Sequence, residues 1–209
     1  MNKKIIIPFI VIIISAITIF LIPENSNMPT SDNLYQYGFT FYDVEKIKSS
    51  LSEQNIFMST PTPVTDHTIK NYCAIRDEIL SSINYCTTTA IQGSDGRSFG
   101  NISMGGVPDN PIMAIAFIES SPSLDSKSNE VEIIFETMIE TLVCDCWNDK
   151  QPGGFESVNA WIDAAKIKYA ESSQTIPLKS TITGLSNETL ILEINYKNDS
   201  YLWTLIVLK

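Results

Sequence analysis

The chain has 209 residues, 24 acidic against 14 basic, and a formal net charge of −10. That balance argues against nucleic acid and against anionic lipid headgroups as partners, since both would be repelled. With 44% hydrophobic residues, no internal repeat and no low-complexity tract, the composition excludes a disordered or fibrous protein and supports one domain with a real core.

The N-terminus carries the strongest single signal. Residues 5–22, IIIPFIVIIISAITIFLI, hold no charge, with Lys3 and Lys4 before them and Glu24 after. Eighteen helical residues span roughly 27 Å, close to the hydrocarbon thickness of a bilayer. The run ends on bulky residues followed by Pro23, a poor peptidase site, so an uncleaved transmembrane signal-anchor over 1–22 is favoured over secretion after signal cleavage. Lys3 and Lys4 place the N-terminus in the cytoplasm and the rest outside the cell membrane. No acid precedes Glu24, so all 24 acids and 12 of the 14 bases fall on the exported side, a net charge there of −12.

Residues 23–34, PENSNMPTSDNL, are polar, contain two prolines and show no apolar period, and read as a linker. The extracytoplasmic domain then covers 35–209. Thr40 is placed to cap a helix over 41–54, with Val44, Ile47 and Leu51 on one face. A short extended piece follows at 56–59, then the proline-rich turn STPTPV. Residues 67–76 and 83–91 read as two strands, from the alternation in HTIKNYCAI and the β-branched residues of INYCTTTAI. A helical stripe from Asp66 through Ile69, Tyr72, Cys73, Ile79, Leu80 and Ile83 is the competing pattern. Residues 98–104 return as a strand with Gly100 at a bulge, and 111–119 form a nearly continuous apolar strand of the kind found in a sheet's centre.

Helical periodicity then takes over. Val131, Ile134, Phe135, Met138, Leu142 and Cys146 form the inward stripe of a helix over 129–145. Val158, Trp161, Ile162, Ala165 and Tyr169 do the same over 156–171. PLKSTITG, TLILEINY and SYLWTLIVLK close the chain as three strands joined by turns at LSNE and Lys197-Asn198-Asp199. The predicted class is α+β: an N-terminal transmembrane helix, then one exported domain built of a helix, a four-strand antiparallel run, two helices and a three-strand C-terminal meander.

Four cysteines, Cys73, Cys86, Cys144 and Cys146, outside the cytoplasm favour disulfides. In a hairpin centred near 79–80, Cys73 falls opposite Cys86, which makes that the leading bridge. Cys144 and Cys146 point apart on a helix and pair only if the helix has ended, as the Trp147-Asn148-Asp149 turn and Pro152-Gly153-Gly154 suggest, in a small ring that is easily reduced. The alternative is a surface metal protein, with the four thiolates holding zinc or copper, or a thiol redox protein. The spacing lacks C-x₂-C pairs and speaks for two structural disulfides with no cofactor.

Catalytic patterns fail one by one. His67 is the sole histidine, beside a turn, and neither Ser103 nor any of the four cysteines has a histidine downstream of it. Gly100-Asn-Ile-Ser103-Met-Gly105 carries one residue too many for a nucleophile elbow, and Gly93-Ser-Asp-Gly96-Arg97 lacks the phosphate-loop lysine. Glu132, Glu136 and Glu140 stack on one helix face without the histidines of a di-metal site, and read as solvated surface. Trp147, Trp161 and Trp203 read as packing. Asn101, Asn187 and Asn198 head Asn-x-Ser/Thr tripeptides. Chance gives about three in a chain with 15 asparagines and 40 serines and threonines, so position rather than number matters, and the latter two fall in turns. The expectation is a non-catalytic extracytoplasmic binding or structural domain, held in the membrane by 5–22, with a possible protein partner at the cell surface.

Overall fold

A computed structural model describes residues 38–65, 68–73, 81–172 and 176–209. The apolar run 5–22, the linker 23–34, His67 and the turn expected near 79–80 lie outside the described residues.

The first helix, α1 (Asp43–Glu53), buries Val44, Ile47 and Leu51 as their spacing requires. Its start differs from expectation. Thr40 does not cap it through its side-chain oxygen. Instead the Asp43 carboxylate accepts the Thr40 amide at 2.6 Å and its hydroxyl at 3.0 Å. Burial pushes the Asp43 carboxyl up, but hydrogen bonds from Lys46 and Thr40 outweigh this and hold it below the ordinary carboxylate range.

Two-residue strands β1 (Phe57–Met58) and β2 (Thr62–Pro63) both pair with one edge of β3 (Tyr85–Gln92). The strand expected over 67–76 is not there: Ile69–Tyr72 is a single helical turn, α2. Ile69 and Cys73 are both buried and four residues apart. A strand and a helix each put positions four apart on one side, so the apolar pattern did not separate them. The threonine run that tipped the reading belongs to β3 alone. Strands β4 (Ser98–Val107) and β5 (Asn110–Ser120) follow. Phe99 is the extra residue of a bulge opposite Ile91 and Gln92, beside the predicted Gly100. A Cβ on Gly100 would collide with the Phe117 carbonyl oxygen of β5, so the glycine is needed for the strands to approach.

A 3₁₀ turn at Leu124–Lys127 leads into α3 (Ser128–Leu142), which buries Val131, Ile134, Phe135, Met138, Ile139 and Leu142. The short α4 (Trp147–Lys150) precedes α5 (Val158–Glu171), whose buried residues are the five predicted. Ser157 caps α5 by accepting the Ala160 amide at 3.0 Å. Strands β6 (Leu178–Leu185), β7 (Glu188–Lys197) and β8 (Ser200–Leu208) form the meander. Its tips are tight: Ser186 and Asn187 (φ 53° and 70°), then Asn198 and Asp199 (φ 55° and 62°), have the paired positive φ of two-residue hairpins that follow the strand twist.

The domain is α+β. All strand pairs are antiparallel, in the order β1-β3-β4-β5-β8-β7-β6 with β2 also on β3. The two three-strand meanders join through β5 and β8 in the middle. Helix α3 covers those central strands and α5 covers β6 and β7, with α1 packed on α3. Between helices and sheet lies the main core, which includes Ile118, Phe135, Trp161, Leu192, Trp203 and Leu205. A smaller core on the opposite face gathers Ile69, Cys73, Ile83, Cys86, Met113, Ile115, Ile191 and Ile206. The centre of the sheet is therefore apolar on both sides, which explains the nearly continuous apolar run read over 111–119.

The pairing defines two ends. One carries Gly38, the β4–β5 and β6–β7 turns and Lys209; the other carries the β3–β4 turn, residues 121–127 and the β7–β8 turn.

Candidate functional site

The four cysteines form two separate pairs at disulfide distance. Cys73 and Cys86 are fully buried, with Cα atoms 6.2 Å apart. The bridge is the predicted one, but it ties the end of α2 to β3 rather than two strands of a hairpin. Gly105 lies opposite Cys86 in β4, and a Cβ there would stand 3.1 Å from the Cys73 sulfur, so the glycine makes room for the bridge. Cys144 and Cys146, with Cα atoms 5.2 Å apart, follow the end of α3 at Leu142, and the ended helix is what lets them meet. The pairs belong to different cores on opposite faces of the sheet. The structure does not bring the four sulfurs into one thiolate cluster.

At the end away from Gly38, a cleft of about 420 Å³ opens between the β3–β4 turn and the segment leaving β5. Its walls carry Asp95, Arg97, Phe99, Glu119, Ser121 and Lys127. Arg97 Nε donates to Asp95 at 2.7 Å, and its amide donates to the same carboxylate at 3.0 Å. These two bonds hold the Asp95 carboxyl below its ordinary range. The guanidinium remains largely in water. Lys127 reaches Glu130 at 2.6 Å and lies 4.7 Å from the centre of the Phe99 ring. A second cleft, about 290 Å³, shares Asp95 and Lys127 and adds Gln54, Asn55, Asn129 and Glu130. Both clefts carry cations and anions together, so the surface suits a partner carrying both signs and selects by geometry rather than by net charge.

Sequence reasoning missed this cleft. It weighed Gly93–Arg97 only against a phosphate loop and gave Lys127 no role. Arg97 is one of two arginines in the chain, a weak signal that became meaningful only when β4 and β5 brought it near Lys127.

The remaining expectations fall as follows. Glu132 and Glu136 are half-buried and Glu140 exposed, so the stripe is less solvated than its spacing implied. Burial first, then Asp163, raises the Glu132 carboxyl; burial, then Glu136 and Asp145, raises that of Glu140. Among the described residues no group of three or more His, Cys, Asp or Glu is placed to hold a metal ion. All three tryptophans are buried. Trp147 donates to the Phe155 carbonyl at 3.1 Å, Trp161 to Ser180 at 2.8 Å, and their rings stack with centres 5.8 Å apart. Asn101 sits in β4, its amide 3.1 Å from Ser103 Oγ, whereas Asn187 and Asn198 are exposed at hairpin tips. No protein-family model matches the chain, and no curated protein or solved structure matches it.

Proposed function

We propose that the protein is a single-pass, membrane-anchored extracytoplasmic binding or structural domain that works without catalysis. Residues 5–22 hold it, and the Arg97–Lys127 cleft faces a partner at the cell surface. The observation that carries this reading is the pairing of all four cysteines, none of them free, which an oxidising compartment permits and the cytoplasm opposes. Among the described residues no helix is long and apolar enough to cross a membrane, so the anchor rests on the 5–22 run alone.

The test is topology in intact cells. After mild reduction, a membrane-impermeant maleimide should label the protein before lysis, while without reduction it should label nothing. High salt should leave the protein in the membrane fraction, and peptide mapping should recover residues 1–22. Labelling that appears only after lysis and needs no reduction, or release by salt, overturns the reading.

A further inference from the structure

We propose that Cys144 and Cys146 form an accessible thiol–disulfide exchange site whose fitting partner is a neutral or cationic dithiol. The inference stands whether or not residues 5–22 anchor the chain, and it concerns a stoichiometric exchange rather than turnover.

The two bridges differ in what they do for the fold. Cys73–Cys86 spans 13 positions, ties α2 to β3 and is sealed from solvent. Cys144–Cys146 spans 2 positions and joins neighbouring pieces of one connection. So short a loop removes little entropy from the unfolded chain, and the bridge contributes correspondingly little to folding. The backbone around it is held by other means. The Cys144 amide donates to the Ile139 carbonyl at 3.2 Å, and the Cys146 carbonyl accepts from the Lys150 amide at 3.1 Å. Opening the sulfur–sulfur bond therefore breaks no contact between distant elements.

Access and charge complete the case. Both cysteines are only half-buried, and Cys144 lines a narrow cleft with Glu136, Glu140, Asp145, Trp147 and Ser157. Glu140 feels the negative charges of Glu136 and Asp145, and Asp149 lies in the next helix. A thiolate that attacks Cys144 through this cleft passes the acidic rim. Glutathione, net anionic, is disfavoured there, and a thiol carried by a cationic molecule is favoured.

The chemistry balances without a further reactant. One thiolate of the partner attacks Cys144 or Cys146, the sulfur–sulfur bond breaks, and the other cysteine leaves as a thiolate. The partner's second thiol attacks the mixed disulfide. The partner gains a disulfide, the pair gains two electrons, and the two protons released by the partner end on Cys144 and Cys146.

The test uses the full-length oxidised protein in detergent, with cysteamine and glutathione as probes and alkylation mapped by mass spectrometry. Cysteamine should open Cys144–Cys146 about tenfold faster than Cys73–Cys86, with the circular dichroism unchanged. At low salt cysteamine should outpace glutathione, and the ratio should shrink in 1 M salt and in Glu140→Gln. A reduced two-cysteine, lysine-containing peptide should be oxidised one per chain, and C144S/C146S, folded as the parent is, should oxidise none. Opening of Cys73–Cys86 first, loss of the fold on opening Cys144–Cys146, a salt-independent thiol preference, or an unoxidised peptide would each overturn the proposal.

Discussion

Lys209, the last residue, donates from its ammonium to the carbonyl of Phe39 at 2.5 Å, across 170 positions of sequence. The same nitrogen donates to Asn110 Oδ1 at 3.0 Å and lies 4.7 Å from the Phe39 ring. Desolvation lowers the lysine's pKa from its ordinary value, while Glu188 and Asp43 pull it back up. The C-terminal side chain thus fastens the point where the chain enters the domain. Lys209→Met should destabilise the domain by about 1 kcal/mol, the scale of hydrogen bonds from a partly exposed charge. Amide exchange should accelerate at Phe39 and Thr40 far more than in β8, and equal acceleration in both would show that the contact is incidental.

Glu188 gives a pH dependence with a definite sign. It is buried, its Oε2 has no hydrogen-bond partner, and desolvation raises its pKa above the ordinary 4.5 despite Lys209 and Lys150. The folded state therefore holds this proton more tightly than the unfolded state. The associated stability is fully present below pH 4.5 and is lost as pH rises through the folded value. Glu188→Gln, neutral throughout, should melt above the parent at pH 7 and level with it at pH 4. A constant gap across that range would remove ionisation as the cause.

The Cys73–Cys86 bridge should be the one that matters for stability. Closing a loop of this size is worth about 3 kcal/mol in the chain-entropy model. Replacing both cysteines by serine should cost about that in denaturant unfolding, plus the loss of two buried sulfurs from the smaller core. The matching change at Cys144 and Cys146 should cost markedly less, and equal costs would contradict the difference in their settings.

How much of this was legible in the sequence depended on how far each pattern ran. Helix α5 was readable because its apolar stripe persists from Val158 to Tyr169, and the meander because three apolar, β-branched runs are set off by turn residues. Trp161, Ile162 and Ala165, at i, i+1 and i+4, fit no strand face. Around Ile69 the pattern is one turn long, and a spacing of four satisfies both periods. The bridge to Cys86 was reached through a hairpin that the described residues replace with α2, because spacing locates a partner without fixing the path to it. The cleft was invisible for another reason. Arg97 and Lys127 are 30 positions apart, and only the register of β4 on β5 places them together.

Trp203 should be the costliest single truncation in the sheet. It is fully buried on β8 between Ile118 and Ile194, under the helices. Trp203→Ala should cost about 3–5 kcal/mol. Its indole nitrogen has no hydrogen-bond partner, so Trp203→Phe forfeits volume but no bond, and should cost well under half as much. A phenylalanine variant as damaged as the alanine one would reveal a role for that nitrogen.

Removing the chain after Asn195 tests the architecture itself. Strand β8 is not an edge. It pairs along Met113–Ser120 on one side and Thr189–Lys197 on the other, and it contributes Trp203, Leu205 and Val207 to the main core and Ile206 to the smaller one. Without it, β5 and β7 would expose unpaired backbone next to apolar faces, and the two meanders would have no common strand. A single buried tryptophan already accounts for a large part of a typical domain's 5–15 kcal/mol, so losing the whole strand exceeds what the remainder can supply. The truncated protein should show no cooperative thermal transition and should aggregate through the freed strand edges. If it instead melts cooperatively near the temperature of the full chain, the first meander with α1 and α3 folds by itself, and the apolar faces of β8 must be reread as a surface for a partner.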